Sequence, residues 1–344
     1  MLGNHGNATL TYADTAMLSV VAVDAPEVVH SSTFDAALQG TYDRLGVRAG
    51  LLEDLAGIEE RRWWEPGTTF ASVAARAGEQ AIEAAGIDRS RIGLLVDTSV
   101  CRDRLEPSAA VEVHDLLGLA PGCLNFDLAN ACLGFVNAMT LAAKLIDAGQ
   151  IEYALIVDGE GSRHTQEVTL ERLAGDDVTV KQLFGEFASL TRGSGAAAAV
   201  LGRASDHEGA PVLVGSEART GSSHHHLCYG DLERMWTDTA GLLEAGLDVA
   251  ELTWTAAERN GWDWRALDHY IMHQVSKVHT SAMQKRLGID PERAPLTFPT
   301  YGNIGPAAIP ITLAKHVDQI RPGERIILTG IGSGVNTTAT ELRW

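Results

Sequence analysis

The residue types able to do chemistry in this chain fall just after apolar runs. Asp127-Leu128-Ala129-Asn130-Ala131-Cys132-Leu133-Gly134-Phe135 reads as the end of a buried strand over 123–128 and a turn at Asn130. An amphipathic helix follows, opened by Cys132 and running to about 147. A thiol at a helix N-terminus faces unpaired backbone N–H groups and the positive end of the helix dipole, and both favour the thiolate. A sharp strand-to-helix turn presents such a nucleophile to a pocket. Most free cysteines are small buried hydrophobes, and this stretch alone leaves both readings open. His273, in Met272-His273-Gln274-Val275-Ser276, directly follows an apolar strand, where a lone histidine is more often a hydrogen-bonded core residue. Asn303, in Tyr301-Gly302-Asn303-Ile304-Gly305-Pro306, has the type and flanks of a turn that tolerates left-handed geometry. Together the three form a Cys/His/Asn set suited to nucleophilic catalysis, which weighs more than any member alone.

Three further stretches invite a functional reading. Gly330-Ile331-Gly332-Ser333-Gly334 follows a strand, but it lacks the full dinucleotide fingerprint and leads into a strand, which excludes a nucleotide role. A tight glycine loop can instead aim a backbone N–H, here that of Ser333, at a developing oxyanion. Ile58-Glu59-Glu60-Arg61-Arg62-Trp63-Trp64 is either a solvated edge with two half-buried indoles, or an anion and adenine contact in which Arg61 and Arg62 hold phosphate. His224-His225-His226, near Cys228 and after Gly221-Ser222-Ser223, suits a mobile loop better than a fixed coordination shell, so no metal is expected.

The elements that must position these groups alternate regularly. Strands are expected over 17–25, 92–97, 123–128, 153–158 and 193–201, and helices over 34–45, 72–85, 107–117 and 132–147. A polar segment with helical patches, 165–191, reads as an excursion over the surface. The second half repeats the scheme, with strands over 212–214, 269–273, 296–298, 325–329 and 337–344 and helices over 235–259, 275–287 and 305–318. Continuous apolar runs separated by helices argue for parallel strands covered on both faces. Their spacing of roughly thirty residues is that of a βαβ unit. The expected fold is α/β, five-layered αβαβα, with pseudo-symmetric halves over 17–203 and 204–344 and a flexible extension over 1–16. Cys132, His273 and Asn303 each follow a strand in corresponding units. Sites in parallel α/β sheets form at strand carboxyl ends, so the three can converge despite their separation in sequence.

With 344 residues, 45% hydrophobic and 21% charged, the chain suits a globular protein with a deep core. No apolar run approaches the roughly 18 residues of a membrane span, and residues 1–14 lack a basic-then-apolar leader pattern. The four cysteines, Cys101, Cys123, Cys132 and Cys228, show no paired spacing, which fits free thiols in a reducing cytoplasm. A net charge of −18 argues against nucleic acid and anionic membrane as partners, and leaves room for a small anion such as coenzyme A at a local basic cluster.

On Asn130-Ala131-Cys132, Met272-His273-Gln274, Tyr301-Gly302-Asn303-Ile304-Gly305-Pro306 and the Gly330 to Gly334 loop, the chain resembles the thiolase-fold condensing enzymes of the ketoacyl synthase III branch. The match runs from Met17 onward. Tyr42-Asp43-Arg44-Leu45-Gly46, Leu105-Glu106-Pro107-Ser108, Val157-Asp158-Gly159-Glu160 and His273-Gln274-Val275-Ser276 are similar to the OleA type, the acyl-CoA:acyl-CoA alkyltransferases. This resemblance implies a thiolase fold, an acylated Cys132, and a His273/Asn303 pair that binds the thioester oxygen of a second substrate. It also implies a Glu106 that reaches the site of the partner subunit in a homodimer and removes an α-proton. The reaction implied is a non-decarboxylative Claisen condensation of two long-chain acyl-CoAs to a 2-alkyl-3-ketoacyl-CoA or the derived acid, with no cofactor beyond the thioesters and with downstream pathway enzymes as possible partners. The alternatives are a malonyl-dependent 3-oxoacyl-ACP synthase III and an inactive partner subunit of a condensing heterodimer.

Overall fold

The computed structural model describes residues 8–344. The first half runs through β1 (Thr9–Thr11), β2 (Thr15–Asp24), β3 (Glu27–His30), α1 (Ser31–Leu45), α2 (Leu51–Asp54), β4 (Glu60–Trp63), α3 (Phe70–Ala85) and β5 (Ile92–Asp97). It continues with α4 (Ala109–Leu116), β6 (Leu124–Asp127), α5 (Gly134–Asp147), β7 (Tyr153–Glu160), α6 (Arg163–Leu173), α7 (Val180–Leu190) and β8 (Gly195–Arg203). The second half holds β9 (Val212–Thr220), β10 (Cys228–Gly230), β11 (Met235–Thr237), α8 (Thr239–Arg259), β12 (His269–Met272) and α9 (Lys277–Leu287). It closes with α10 (Phe298–Tyr301), α11 (Ala308–Ala314), β13 (Arg325–Gly332) and β14 (Asn336–Arg343). Local chemistry sets the helix ends. Thr69 caps α3 by accepting Ser72 N, and Gly86 closes it at φ 63°; Ser276 and Gly288 do the same for α9.

Nine strands form one hydrogen-bonded path, β12-β13-β14-β9-β2-β8-β7-β5-β6, with β1 added on β9. The two halves join where Ala16 of β2 pairs with Val212 of β9. α5 packs on β2, β7 and β8 of one half and β14 of the other, while α11 packs on β2, β8 and β12. One of the two largest core clusters accordingly joins Phe135, Met139 and Ile146 of α5 and Ile309 and Leu313 of α11 to strands of both halves. Outside, α3 covers β2, β7 and β8, and α8 covers β9 and β14. These are the expected α/β layers, with α5 and α11 in the middle.

Several expectations are corrected. The strands are not all parallel: β5, β6 and β7 run parallel, as do β12 and β13, but β8 and β14 return antiparallel. The three residues between β13 and β14 are too few for a crossover. Residues 1–7 of the expected extension lie outside the described residues. The rest of it is ordered, since β1 pairs with β9 and Thr9 Oγ1 donates to Glu217 Oε1 at 2.6 Å. The expected helix over 235–259 begins only at Thr239, capped by Asp238, because Met235–Thr237 pairs with Cys228–Gly230 as a hairpin. The expected strand over 296–298 is absent; Phe298–Tyr301 is a helical turn with Pro299 in its first turn. The segment 165–191 holds two helices, one of which becomes a wall of the site.

Two glycines test this packing. A Cβ on Gly159 of β7 would come within 2.4 Å of Phe70 O of α3, whereas one on Gly40 of α1 would meet nothing within 4 Å. In denaturant unfolding, Gly159→Ala is expected to cost about 1–3 kcal/mol and Gly40→Ala to add about 0.5–1 kcal/mol.

Candidate active site

After β6 the chain turns within six residues. Leu128 N donates to Asp97 O at 2.9 Å and Leu133 N to Asn130 O at 3.0 Å. Ala131 takes φ 46°, a left-handed conformation that costs a residue with a Cβ about 1–2 kcal/mol, directly before the thiol. Helix α5 starts at Gly134, two residues later than expected. A Cβ there would lie 3.0 Å from Thr98 O and 3.1 Å from Leu128 O, so glycine lets the turn close. Asn130 holds it: its Nδ2 donates to Asn137 Oδ1 at 2.6 Å, its Oδ1 accepts from Asn336 Nδ2 at 3.0 Å, and Asn137 Nδ2 donates to Thr338 Oγ1 at 3.0 Å. The nucleophile turn of one half is thereby tied to β14 of the other. Sequence reading missed Asn137 and Asn336; only Asn130, inside the motif, carried a signal.

His273 follows β12 and donates its backbone N–H to Thr329 O at 2.7 Å. A Cβ on Gly330 would come 2.6 Å from His273 Cβ, so that glycine, assigned above to a loop but lying inside β13, makes room for the histidine. Neither ring nitrogen of buried His273 has a hydrogen-bond partner among the described residues. Burial, followed by the neighbouring His279, holds the ring down to about 4, with the Gly305 backbone pulling weakly the other way. It is a neutral imidazole at physiological pH. Asn303 is set by its backbone: its N–H donates to Thr191 O at 2.8 Å and its carbonyl accepts Gly193 N at 2.9 Å. Its Oδ1 accepts Gly305 N at 3.0 Å, which fixes the amide with its NH₂ left to donate. Ser333 lies in the turn between β13 and β14, beside Gly334 at φ 84° and Val335 at φ 57°.

Cys132, His273, Asn303 and Ser333 all line one cavity of about 1060 Å³. Its remaining walls are mainly apolar, from Phe184 and Phe187 of α7, Met235 and Trp236 of the β10–β11 hairpin, and Leu242 and Leu247 of α8. Burial pushes the Cys132 thiol up to about 12; nearby Cys228 and Glu160 add to this, while Arg192 and the residue's own backbone N–H oppose it. The expected thiolate at the helix end is therefore not the resting state. Cys132 and His273 rest as a neutral pair, and the proton leaves as the nucleophile reacts. In such a site, N–H groups count most against charge that develops during reaction.

The sequence matches the 3-oxoacyl-[acyl-carrier-protein] synthase III model over residues 126–220 and its C-terminal model over 257–344. An acyl-CoA:acyl-CoA alkyltransferase of Xanthomonas campestris is 42% identical, the match covering 97% of this chain and 100% of that protein. One from Shewanella oneidensis is 34% identical over 93% and 96% of the two chains. Cerulenin-bound Xanthomonas campestris OleA superposes with a TM-score of 0.95 at 42% identity, over 97% of this chain and 98% of that one. The chain belongs to the OleA family of condensing enzymes. It is an acyltransferase of the thiolase fold, and its architecture is that of OleA.

Within this OleA-type chain, not every residue singled out in the sequence reaches the cavity. Arg61 is fully buried and stacks 4.4 Å from the Phe34 centroid, donating from Nη1 to Ser31 Oγ at 3.0 Å and from Nη2 to Leu190 O at 3.0 Å. Half-buried Arg62 donates to Ala25 O at 3.3 Å and lies over Tyr301. Neither lines the cavity, and Arg61, expected as a coenzyme A contact, has no exposed surface for one. β4 pairs with β3, and strand alternation turns Arg61 inward and leaves Arg62 half-buried on the other face. Trp63 and Trp64, expected half-buried, are buried and hydrogen-bonded to Gln166 and the Glu160 carbonyl. Glu106 is exposed on the 98–108 loop, beside Leu105 at 90% exposure, and does not line the cavity of its own chain. His224, His225 and His226 lie in an exposed 3₁₀ turn, and among the described residues no group of three or more His, Cys, Asp or Glu is placed to hold a metal ion. No described helix is long and apolar enough to cross a membrane.

The neutral pair makes a definite prediction. Because the Cys132 thiol titrates near 12, its alkylation by iodoacetamide should rise about tenfold per pH unit through pH 9, with no plateau near the ordinary thiol range of about 8.5. Mass spectrometry of the Cys132 peptide after timed labelling reads this directly.

Proposed function

We propose that this protein joins two fatty acyl-CoAs by a non-decarboxylative Claisen condensation. Cys132 attacks the thioester carbonyl of the first acyl-CoA, its proton leaves with the departing coenzyme A thiolate, and an acyl-cysteine remains. The backbone N–H groups of Cys132 and Ser333 receive the oxyanion. The second acyl-CoA presents its thioester oxygen to the Asn303 NH₂ and His273. Glu106 of a second copy takes an α-proton, and the carbanion attacks the acyl-cysteine carbonyl. A C–C bond forms, the C–S bond breaks, and the Cys132 thiolate is regenerated, giving a 2-alkyl-3-ketoacyl-CoA that hydrolysis converts to the β-keto acid. The observation that carries this reading is the convergence of Cys132, His273, Asn303 and Ser333 on one largely apolar cavity of about 1060 Å³, large for a small-molecule site.

The homodimer belongs to this proposal. β6 is the outer strand of the sheet. Leu105, Val111, Leu116 and Leu124 are exposed on it and on the segment leading to it. An exposed apolar patch along an open strand edge is a surface for another chain, and a second copy seated there would carry the Glu106 loop towards a neighbouring cavity. A base is required because a plain acyl-CoA has no carboxylate to lose as carbon dioxide.

The acyl wall has one tight contact. A Cβ on Gly185 of α7 would lie 2.0 Å from Cζ3 of Trp236, and Ser189 Oγ accepts Met235 N at 3.0 Å, so the hairpin lies flush on α7. Gly185→Ala should push the indole into the cavity and lower kcat/KM for long acyl-CoAs relative to short ones by about tenfold or more. Trp236→Ala on that background should restore the long chains.

Supplied with one fatty acyl-CoA and no malonyl-CoA, the protein should release free thiol and yield the condensed product. Glu106→Gln should still form the Cys132 acyl adduct by intact mass yet condense about 10²–10⁴-fold more slowly. Strict dependence on malonyl thioesters would instead assign a 3-oxoacyl-ACP synthase III, and absence of any adduct an inactive partner subunit.

A further inference from the structure

The Val157-Asp158-Gly159-Glu160 motif has no part in the reaction above, yet it ends among buried charges behind the Cys132 turn. The Glu160 side chain is 1% exposed and pairs with Arg192 at 3.3 Å. Its Oε1 accepts the backbone N–H groups of Val100 at 2.5 Å and Cys101 at 3.3 Å. Arg192 Nη2 also meets Cys101 Sγ at 3.1 Å. On its other side the carboxylate lies against Gly305, where a Cβ would come within 3.4 Å of Oε2. Gly305 is the residue whose N–H fixes the Asn303 amide, and Arg192 itself bridges to Asn303 through the backbone. One buried ion pair thus touches both the root of the 98–108 loop and the turn that bears Asn303.

We propose that Glu160, paired with Arg192, is a positioning residue that holds the Glu106 loop and the Asn303 turn in register behind Cys132. This rests on the roles given above to Cys132 and Glu106. The loop has other anchors nearer its tip. Asp103 accepts Phe70 N at 3.0 Å, and Asp127 accepts Ala109 N at 3.1 Å and Ala110 N at 2.9 Å. Glu160 is the anchor shared with the active site.

The charge on Glu160 follows from its bonds. Burial raises its carboxyl, and Arg192 with the Val100 and Cys101 N–H groups opposes this, so Glu160 is the member of the cluster whose charge is compensated. Asp158 has Thr98 Oγ1 on one oxygen at 2.6 Å, no partner on the other, and no cation. Burial and the Glu160 charge hold its carboxyl well above the usual range. Asp97 is likewise pushed up to about 7, chiefly by burial, with Asp127 and Glu160 adding. Facing Glu160 are therefore Arg192, neutral Asp158, Asp97, the Cys101 thiol and, across the turn, Cys132. Glu160 raises the Cys132 thiol and Arg192 lowers it.

The test measures two things on Glu160→Gln, Arg192→Gln and Glu160→Asp: the pH profile of Cys132 alkylation and the ratio of condensation to acyl-cysteine formation. Glu160→Gln should move the alkylation profile to lower pH, speeding labelling at fixed pH by about tenfold, and Arg192→Gln should move it to higher pH. Glu160→Asp keeps the charge but shortens the anchor. It should leave the profile in place while condensation falls at least tenfold relative to acylation. Wild-type profiles with wild-type condensation would overturn the proposal, as would shifts of the same sign in both Gln variants. Should one Gln variant fail to fold, the sign in the other together with the Glu160→Asp ratio decides. Should both fail, the Glu160→Asp ratio decides, and an unchanged ratio overturns the proposal. If the wild-type protein does not condense acyl-CoAs at all, the proposed function fails, and the alkylation arms still read the ion pair.

Discussion

The bond from Asn336 to Asn130, with Asn137 and Thr338 behind it, is what the rest of the site depends on. It carries a strained turn of one half on a strand of the other. Ala131 at φ 46° is held in an uncommon conformation because the surrounding structure over-determines it. The thiol is offered to the cavity only while the two halves stay docked through α5 and α11. The duplication is therefore a mechanical condition of the site: each half builds one side of a space that neither encloses alone.

Desolvation governs the chemistry inside that space. It raises Cys132 and lowers His273, so both rest uncharged. A neutral imidazole has one N–H to donate, and with the Asn303 NH₂ it can meet a thioester oxygen from two sides. Behind the turn the same low dielectric makes the Glu160–Arg192 pair long-lived, since either partner alone would be a buried, uncompensated charge. The cavity is largely apolar, and backbone bonds set the places of His273 and Asn303 in its wall.

Much of this was legible in the sequence because it is written in period and spacing. Apolar runs marked most strands, glycine-flanked motifs marked the turns, and the repeat placed Cys132 and His273 after strands; Asn303, expected there too, follows the helical turn α10. What stayed hidden is what long-range packing decides. Arg61 and Arg62 look like a phosphate contact until strand pairing turns Arg61 into the core. The 165–191 segment looks like a surface excursion because its sequence does not show that α7 buries Leu183 and Leu190 in a core while Phe184 and Phe187 line the cavity. The helix-end argument for a Cys132 thiolate held locally, but burial, which no local pattern reports, outweighed it. Glu106 carried no signal of its own beside Pro107; it rested on resemblance, and one chain leaves it in solvent.

The wall formed by α7 and the β10–β11 hairpin comes from insertions between β7 and β8 and between β9 and α8, outside the duplicated strands that carry the nucleophile and its partners. Its two parts meet each other at the Gly185–Trp236 and Ser189–Met235 contacts. Reaction and substrate range thus rest largely on different segments of the chain. A lineage can lengthen, shorten or reshape the lining while the catalytic frame is conserved, and a designer could exchange the lining as a unit without rebuilding the turn that makes the thiol reactive.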